Sequence, residues 1–385
     1  MKKLAIIGAG RMACIFAQHA KKMGIETHCF AWKEGALAIE YVDFFYPISI
    51  FEKEKILYEC RKIGIGGVVA TTELTIAIAA FIAENLGLNG NSMKIANVIT
   101  DKYRNRELTK EIEGLFHPQY KVIRSREEIE CLNMNFPLIL KPTSKGGKRG
   151  ISVVSTKKEL YEAFEYAIHD VGETEFIIEE YIDGGQEFSI ESLSYHGETN
   201  VIQVTEKVSS GAPHCVELGH HQPGCISEEM KKKIVGILKK AIRKIGIENG
   251  PCHTEIKIKN SKIYLIEFNA RPGGDHIAWP LTELSTGFDY IGAIINVAFD
   301  ESNNIDVDKF QHNYAGVLFV TEQTKYLKPL FEICDKYEWF YKKNLVSEEL
   351  TSLFHNDGYN TNYIMYYSEN GRPDFANIIK ELSNK

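Results

Sequence analysis

Over the first hundred residues, short apolar runs alternate with stretches whose apolar positions recur at helical spacing. Leu4 to Ile7, Glu26 to Ala31 and Gly67 to Ala70 read as strands, whereas about Met12 to Met23 and the stretch ending at Leu86 read as amphipathic helices. Strands separated by helices require crossover connections, which predicts a doubly wound parallel-sheet α/β domain over residues 1–99. The pattern changes after Asn89-Gly90-Asn91-Ser92, where Thr100 to Leu108 reads as a capped helix rich in charge. There follow a strand at Val122-Ile123, a helix from Arg126 to Leu132, a strand from Pro137 to Lys141, a glycine-rich loop and a strand from Ile151 to Ser155. Phe176 to Gly185 runs from strand into a turn. Alternating segments from Gln186 to Ser194 and Thr199 to Glu206 predict antiparallel pairing, and Ser227 to Ile245 predicts an amphipathic helix. Apolar strands at 252–259 and 262–268 precede a tail, 301–385, with strands near Ala315 to Val320 and Tyr363 to Tyr367.

The chain's 385 residues, 44% hydrophobic and 25% charged, suffice for two or three packed units. A net charge of −7 and the lack of a basic-aromatic stripe argue against nucleic acid as a partner. Eight cysteines without a CxxC pair, and an opening Met1-Lys2-Lys3 that leads straight into an apolar strand, predict free thiols in a reducing cytoplasm. No apolar run reaches the roughly 18 to 20 residues of a membrane helix, so no membrane partner is expected.

Two clusters carry chemistry. Glu267 and Asn269 are two apart on a strand and leave the same face, while Glu255 lies on the neighbouring apolar run. Such oxygen donors suit Mg²⁺, and Arg271, Gly273 and Gly274 follow at once. The loop Pro142 to Gly150 contains Lys145, Gly146, Gly147 and Lys148 but no GxxxxGK[ST] order, so it offers N–H groups and lysines to phosphate without being a Walker loop. Lys102 and Lys141 each sit at the edge of a regular element, where an ammonium can reach phosphate. The turn Gly8-Ala9-Gly10-Arg11-Met12-Ala13 fits a dinucleotide fingerprint, but its second strand ends in His28-Cys29-Phe30-Ala31-Trp32-Lys33 with no acidic residue for a ribose. It reads as a tight strand-to-helix turn.

Lys102 in Asp-Lys-x-x-x-Arg, the Phe136 to Pro142 strand with its Gly146-Gly147 loop, Glu179-Glu180-Tyr181-Ile182, Glu187, and Glu255 with Glu267-x-Asn269-x-Arg271 occur in the order of the ATP-grasp superfamily, which the chain resembles over about residues 100 to 300. The flanking regions resemble the biotin carboxylase-like branch. The resemblance implies an N-terminal doubly wound α/β domain (1–99), a two-lobed ATP-grasp fold (100–300, with a mobile lid lobe at about 122–184) and a C-terminal α+β extension (301–385). It also implies ATP held by Lys102 and Lys141 on its phosphates under the Gly146-Gly147 loop. Residues Glu179 to Ile182 would then serve adenine, largely through backbone groups, and Glu187 the ribose. Glu255, Glu267 and Asn269 would hold two Mg²⁺ ions, with Mn²⁺ as a substitute, Lys207 would lie near the γ-phosphate, and Arg271 would stabilise the acyl phosphate or the tetrahedral species.

The segments Val216 to Pro223 and Phe268 to Ile277 are similar to bacterial L-amino acid ligases. That similarity implies a carboxylate-amine ligase acting on a small-molecule acid and amine, with Glu217, His220, Arg271, Gly273 and Gly274 at the substrates and ADP and phosphate as products. His220 or His221 would orient or deprotonate the amine, and the sequence does not choose between them. A homodimer through the N-terminal or tail region is the fold-level expectation. The rival readings are a purine-pathway-type carboxylate ligase or carboxylase, a nucleotide-binding protein without turnover, and a nicotinamide oxidoreductase resting on the Gly8 turn alone.

Overall fold

In a computed structural model, which describes residues 1–172 and 174–383, the chain forms seventeen strands in three sheets. In chain order these are β1 (Lys3–Ile7), β2 (Glu26–Phe30), β3 (Phe44–Tyr46), β4 (Gly67–Ala70), β5 (Leu115–Phe116), β6 (Tyr120–Ile123), β7 (Leu138–Pro142), β8 (Ser152–Val154), β9 (Phe176–Glu180), β10 (Gln186–Tyr195), β11 (Glu198–Ser209), β12 (Glu217–Gln222), β13 (Gly250–Lys259), β14 (Lys262–Asn269), β15 (Tyr314–Val320), β16 (Phe340–Asn344) and β17 (Asn362–Ser368).

The first sheet is parallel, in the order β3-β2-β1-β4. Its strands β1 and β4 are apolar runs with helices on both faces, whereas β2 (Glu26–Phe30) also buries the polar Thr27 and His28. Helix Arg11–Lys22 starts directly at the glycine turn, and Gly8 there has φ +95° and lies so close to Thr71 that a Cβ would overlap the hydroxyl. This helix packs with helix Tyr290–Ala298 in a core that also takes in Leu193 and Ile202 of the central sheet. The N-terminal unit is thereby fixed against the rest of the molecule by apolar burial.

The central sheet has nine strands in the order β16-β17-β15-β12-β11-β10-β13-β14-β5, antiparallel except at the β14–β5 edge. The tail strands β15, β16 and β17 extend this sheet. Helix Glu228–Ile245, capped by the Ser227 side chain, buries its Ile234, Ile237, Leu238, Ala241 and Ile242 stripe with Ile256, Ile263 and Phe268. The opposite face of the sheet carries polar groups. The third sheet, β6-β9-β7-β8, is antiparallel and has its own core with helix Lys157–Val171, built on Leu138, Leu140, Phe164, Phe176 and Ile178. Loop Thr143 to Ile151 joins β7 to β8 over the polar face of the central sheet.

Candidate active site between the two lobes

Strand register decides which side chains meet. Glu187 pairs with Lys207 and Lys257, Ser189 with Glu255, and Glu191 with His253, while Glu255 and His253 in turn face Glu267 and Asn269 across β13 and β14. Period-two alternation therefore puts Glu187, Glu191, Lys207, His253, Glu255, Glu267 and Asn269 on one face. Glu217 and His220 differ by three, which on a regular strand would place them on opposite faces. A register shift opposite Val208 and Ser209 brings them together, with His220 Nε2 3.3 Å from Glu217 Oε2.

Lys207 is almost fully buried between Glu217 Oε1 at 2.6 Å and Glu255 Oε1 at 2.8 Å. Burial works against its charge, but the two carboxylates outweigh burial and raise its pKa, so the ammonium persists. His253 donates to Glu191 on one side and lies 3.3 Å from Glu255 on the other; burial opposes its charge, yet these carboxylates push its pKa up to about 9. Gly273 donates its N–H to Glu191 at 3.0 Å, and a Cβ there would stand 2.6 Å from Glu191 Oε1 and 2.7 Å from His253 Nδ1.

From the third sheet, Lys141 reaches Glu179 Oε2 at 2.6 Å; from helix Lys102–Thr109, Arg106 Nε reaches Glu179 Oε1 at 2.6 Å while its Nη2 donates to Ile266 O at 2.7 Å. Burial would raise the Glu179 pKa, but Arg106 and Lys141 hold it down to about 2. The Glu179 carboxylate is thus committed to holding Lys141 and tying the third sheet to helix Lys102–Thr109. Lys102, on that helix, contacts Glu267 Oε1 at 2.6 Å and donates to Lys145 O at 2.7 Å. Lys148, in the left-handed region at φ +62°, lies 3.9 Å from Glu255 Oε2.

These groups surround a cavity of about 270 Å³. Lys102, Lys141, Gly146, Gly147, Glu179, Glu180, Tyr181, Ile182, Glu187, Glu217, Glu255, Glu267, Arg271 and Gly274 line it, all of them expected from the sequence. Lys207, His220, Asn269 and Gly273 stand behind the lining. The Asn269 amide is buried next to Glu267, and among the described residues neither of its polar atoms has a hydrogen-bond partner of good geometry, so the donor set Glu255, Glu267 and Asn269 fits a hard divalent cation.

Of the histidine pair, His220 faces the site and His221 does not. The His221 ring bonds to the Tyr366 hydroxyl at 3.0 Å and packs near Phe375 on the far side of the sheet. Burial holds His220 at about 4, so it is a neutral imidazole at pH 7 and too weak a base to deprotonate an ammonium.

Further residues enter the site without having been assigned to it in the sequence analysis. Arg106 ends the Asp-Lys-x-x-x-Arg motif and His253 stands two residues before Glu255, but nothing in the sequence says that their side chains converge. Glu73 comes from helix Glu73–Leu86 of the N-terminal unit and presses on Gly146, where a Cβ would overlap its carboxylate. Burial and Glu267 raise the Glu73 pKa to about 7 against the opposing pull of Lys102 and Arg271. Asp275, at φ +46°, accepts from the Gly358 N–H at 3.0 Å, and burial with Glu217 nearby raises it to about 7.

No described helix is long and apolar enough to cross a membrane. Residues 134–279 match the ATP-grasp domain family. Alanine–anticapsin ligase of Bacillus subtilis (strain 168) is 28% identical over 269 residues, covering 60% of this chain and 56% of that protein, so the match spans little more than half of that relative. The 2-oxoglutarate carboxylase small subunit of Hydrogenobacter thermophilus is 24% identical, covering 78% of this chain and 67% of the relative. Among solved structures, the L-amino acid ligase from Bacillus licheniformis superposes with a TM-score of 0.82 at 21% identity, covering 100% of this chain and 97% of that one. The chain carries an ATP-grasp domain behind a parallel-sheet N-terminal unit, and its fold is that of the L-amino acid ligase structure.

Proposed function

We propose that the protein is an ATP- and Mg²⁺-dependent carboxylate-amine ligase that forms an amide or peptide bond on amino-acid substrates through an acyl phosphate. The observation that carries this reading is the convergence of Lys102, Lys141, Lys148, Glu255 and Glu267 on one cavity beside Arg271, with the buried Asn269 amide behind the two carboxylates. Lys102, Lys141 and Lys148 would hold nucleotide phosphates, with Tyr181 and Ile182 of the strand-to-turn segment against the base. Glu255, Glu267 and Asn269 would hold the metal, which offsets phosphate charge when bound. Arg271, whose guanidinium among the described residues donates to Pro272 O at 2.9 Å and makes no ion pair, would stabilise an oxyanion formed from the acid. Glu217 and His220 orient the substrates, and Glu73, a buried carboxylate that lines a second cavity beside Arg271 and the Gly146-Gly147 loop, is placed to take the proton of the amine. The gap between the N-terminal unit and the Gly146-Gly147 loop gives the amine an approach away from the nucleotide.

The reading is tested by phosphate release from ATP across single amino acids and other small acids, with hydroxylamine present. A hydroxamate whose formation requires both Mg²⁺ and a particular acid is expected. ATP binding with no hydroxamate from any acid would instead favour a nucleotide-binding protein without turnover.

A further inference from the structure

A segment of the tail reaches the site from a direction that the sequence motifs do not reveal. Residues 353–358, between β16 and β17, are pinned at both ends. At one end the Gln323 side chain takes both backbone groups of Leu353, its Nε2 donating to Leu353 O at 2.8 Å and its Oε1 accepting the Leu353 N–H at 3.2 Å. At the other end the Gly358 N–H donates to Asp275 Oδ1 at 3.0 Å. A Cβ at Gly358 would stand 2.5 Å from Phe319 Cζ and 2.9 Å from Asp275 Oδ1, so the chain comes too close there for any side chain.

Between these pins, Asn356 bridges two walls of the cavity that it also lines. Its backbone N–H donates to Gly147 O at 3.0 Å, on the loop over the site, and its side-chain Oδ1 accepts the Glu217 N–H at 3.0 Å, at the start of β12. Gly147 and Lys148 both lie in the left-handed region, at φ +68° and +62°, a shape that Lys148 keeps only where its surroundings impose it. Because a peptide unit is planar, holding the Gly147 carbonyl also fixes the direction of the Lys148 N–H. Phe354 adds a second contact. It meets the His214 ring edge-on at 5.6 Å, and His214 lies 6.0 Å from Tyr166 of helix Lys157–Val171 with its Nδ1 3.2 Å from Ile151 O. The tail thus holds the loop between β7 and β8 directly at Gly147 and through His214 at Ile151.

We propose that residues 353–358 form a strap that sets the closed position of the Gly146-Gly147 loop over the nucleotide phosphates, and that Asn356 is its positioning residue. The inference rests on the nucleotide placement within the ligase reading. Through Asn356 the loop shares one anchor with the strand that presents Glu217 and His220, so closure over the phosphates and the substrate side of the site are set together. A loosened strap should let nucleotide leave sooner and let water reach the acyl phosphate, so that ATP is consumed without an amide being formed.

The test measures dissociation of N-methylanthraniloyl-ADP from the full chain by stopped flow, together with KM for ATP and the ratio of phosphate released to amide formed. Asn356→Leu nearly keeps the side-chain volume without the acceptor, and Asn356→Asp keeps the acceptor. In Asn356→Leu the ADP off-rate and KM for ATP should each rise roughly three- to tenfold, the worth of about one hydrogen bond, and the phosphate-to-amide ratio should exceed that of the parent. Asn356→Asp should restore most of the parent's behaviour. Gln323→Ala loosens the strap at Leu353, outside the cavity, and should also quicken ADP release; it decides the matter if Asn356→Leu does not fold. The exposed Asn377→Ala, on helix Phe375–Ser383, should keep the parent's rate. Parent off-rates in both Asn356→Leu and Gln323→Ala, or an Asn356→Asp variant as fast as Asn356→Leu, overturn the strap while leaving the ligase intact. Faster ADP release in the variants, with no hydroxamate or amide from any acid, supports the strap and removes the ligase reading.

Discussion

Replacing Glu179 with Gln removes the one carboxylate that stands between Arg106 and Lys141. The three side chains are almost fully buried, and Glu179 meets both cations at 2.6 Å. Its pKa falls from 4.5 to about 2, and at about 1.4 kcal/mol per unit this corresponds to roughly 3 kcal/mol of preference for the ionised form in the folded protein. Loss of one partner also strands two buried cations, which places the expected cost at about 3–5 kcal/mol. For a chain of this size the unfolding entropy is on the order of 0.8 kcal/mol per degree, so the melting midpoint should fall by roughly 4–6 °C. Because Lys141 loses the group that aims it, KM for ATP should rise as well. Scanning fluorimetry and steady-state kinetics on Glu179→Gln, with Glu179→Asp as the partial rescue, provide the check. A midpoint within about one degree of wild type together with an unchanged KM for ATP would refute the buried-triad argument.

Glu267→Gln should lower turnover roughly a hundredfold or more and shift the Mg²⁺ dependence, and it should also lower the melting midpoint because it strands the buried Lys102 ammonium 2.6 Å away; the parent's metal-titration curve in the variant would remove Glu267 from the metal. Gly273→Ala forces a methyl group against Glu191 and His253, so it should both destabilise the protein and abolish activity, as read by chemical denaturation and phosphate release. A fully active variant would show that the close approach is not needed. The pKa of His253 is raised on folding from 6.5 to about 9, so its contribution is fully present below pH 6.5 and is lost as pH rises to 9. Stability should decline by up to about 3 kcal/mol across that window, and His253→Gln should flatten the decline; an unchanged slope in the variant would contradict the assignment.

What could be read from the residues follows from how local each signal is. Glu267 and Asn269 share a face because strands alternate, and the strand-loop-strand reading around Gly146 reappears as the antiparallel β7–β8 pair. The caps Asp101 and Ser227 mark their helices through side-chain bonds to Arg104 N and Met230 N. Lys102 and Lys141 carried no local distinction from surface lysines, and only the order of the surrounding motifs pointed to them. The choice between His220 and His221 depends on a register shift that a regular alternation does not contain, and on Tyr366 from a distant strand. Glu73 was illegible for a different reason. It sits in the first turn of an ordinary apolar helix, and only docking of the N-terminal unit through the Tyr290–Ala298 core brings it to Gly146. Strand β16 and the pairing of the tail strands with β12 were likewise missed, since short exposed edge segments such as Phe340–Asn344 have no strong alternation.

The central claim is that an acid's carboxylate attacks the terminal phosphoryl group of ATP before the amine attacks. The most direct measurement incubates the protein, MgATP and an amine with the accepted acid labelled with ¹⁸O in its carboxylate, and reads the mass of the released phosphate. One ¹⁸O atom in each phosphate is predicted, because the carboxylate oxygen stays with phosphorus when the amide bond forms. Phosphate released without label, in the same reaction that forms amide, would contradict the account.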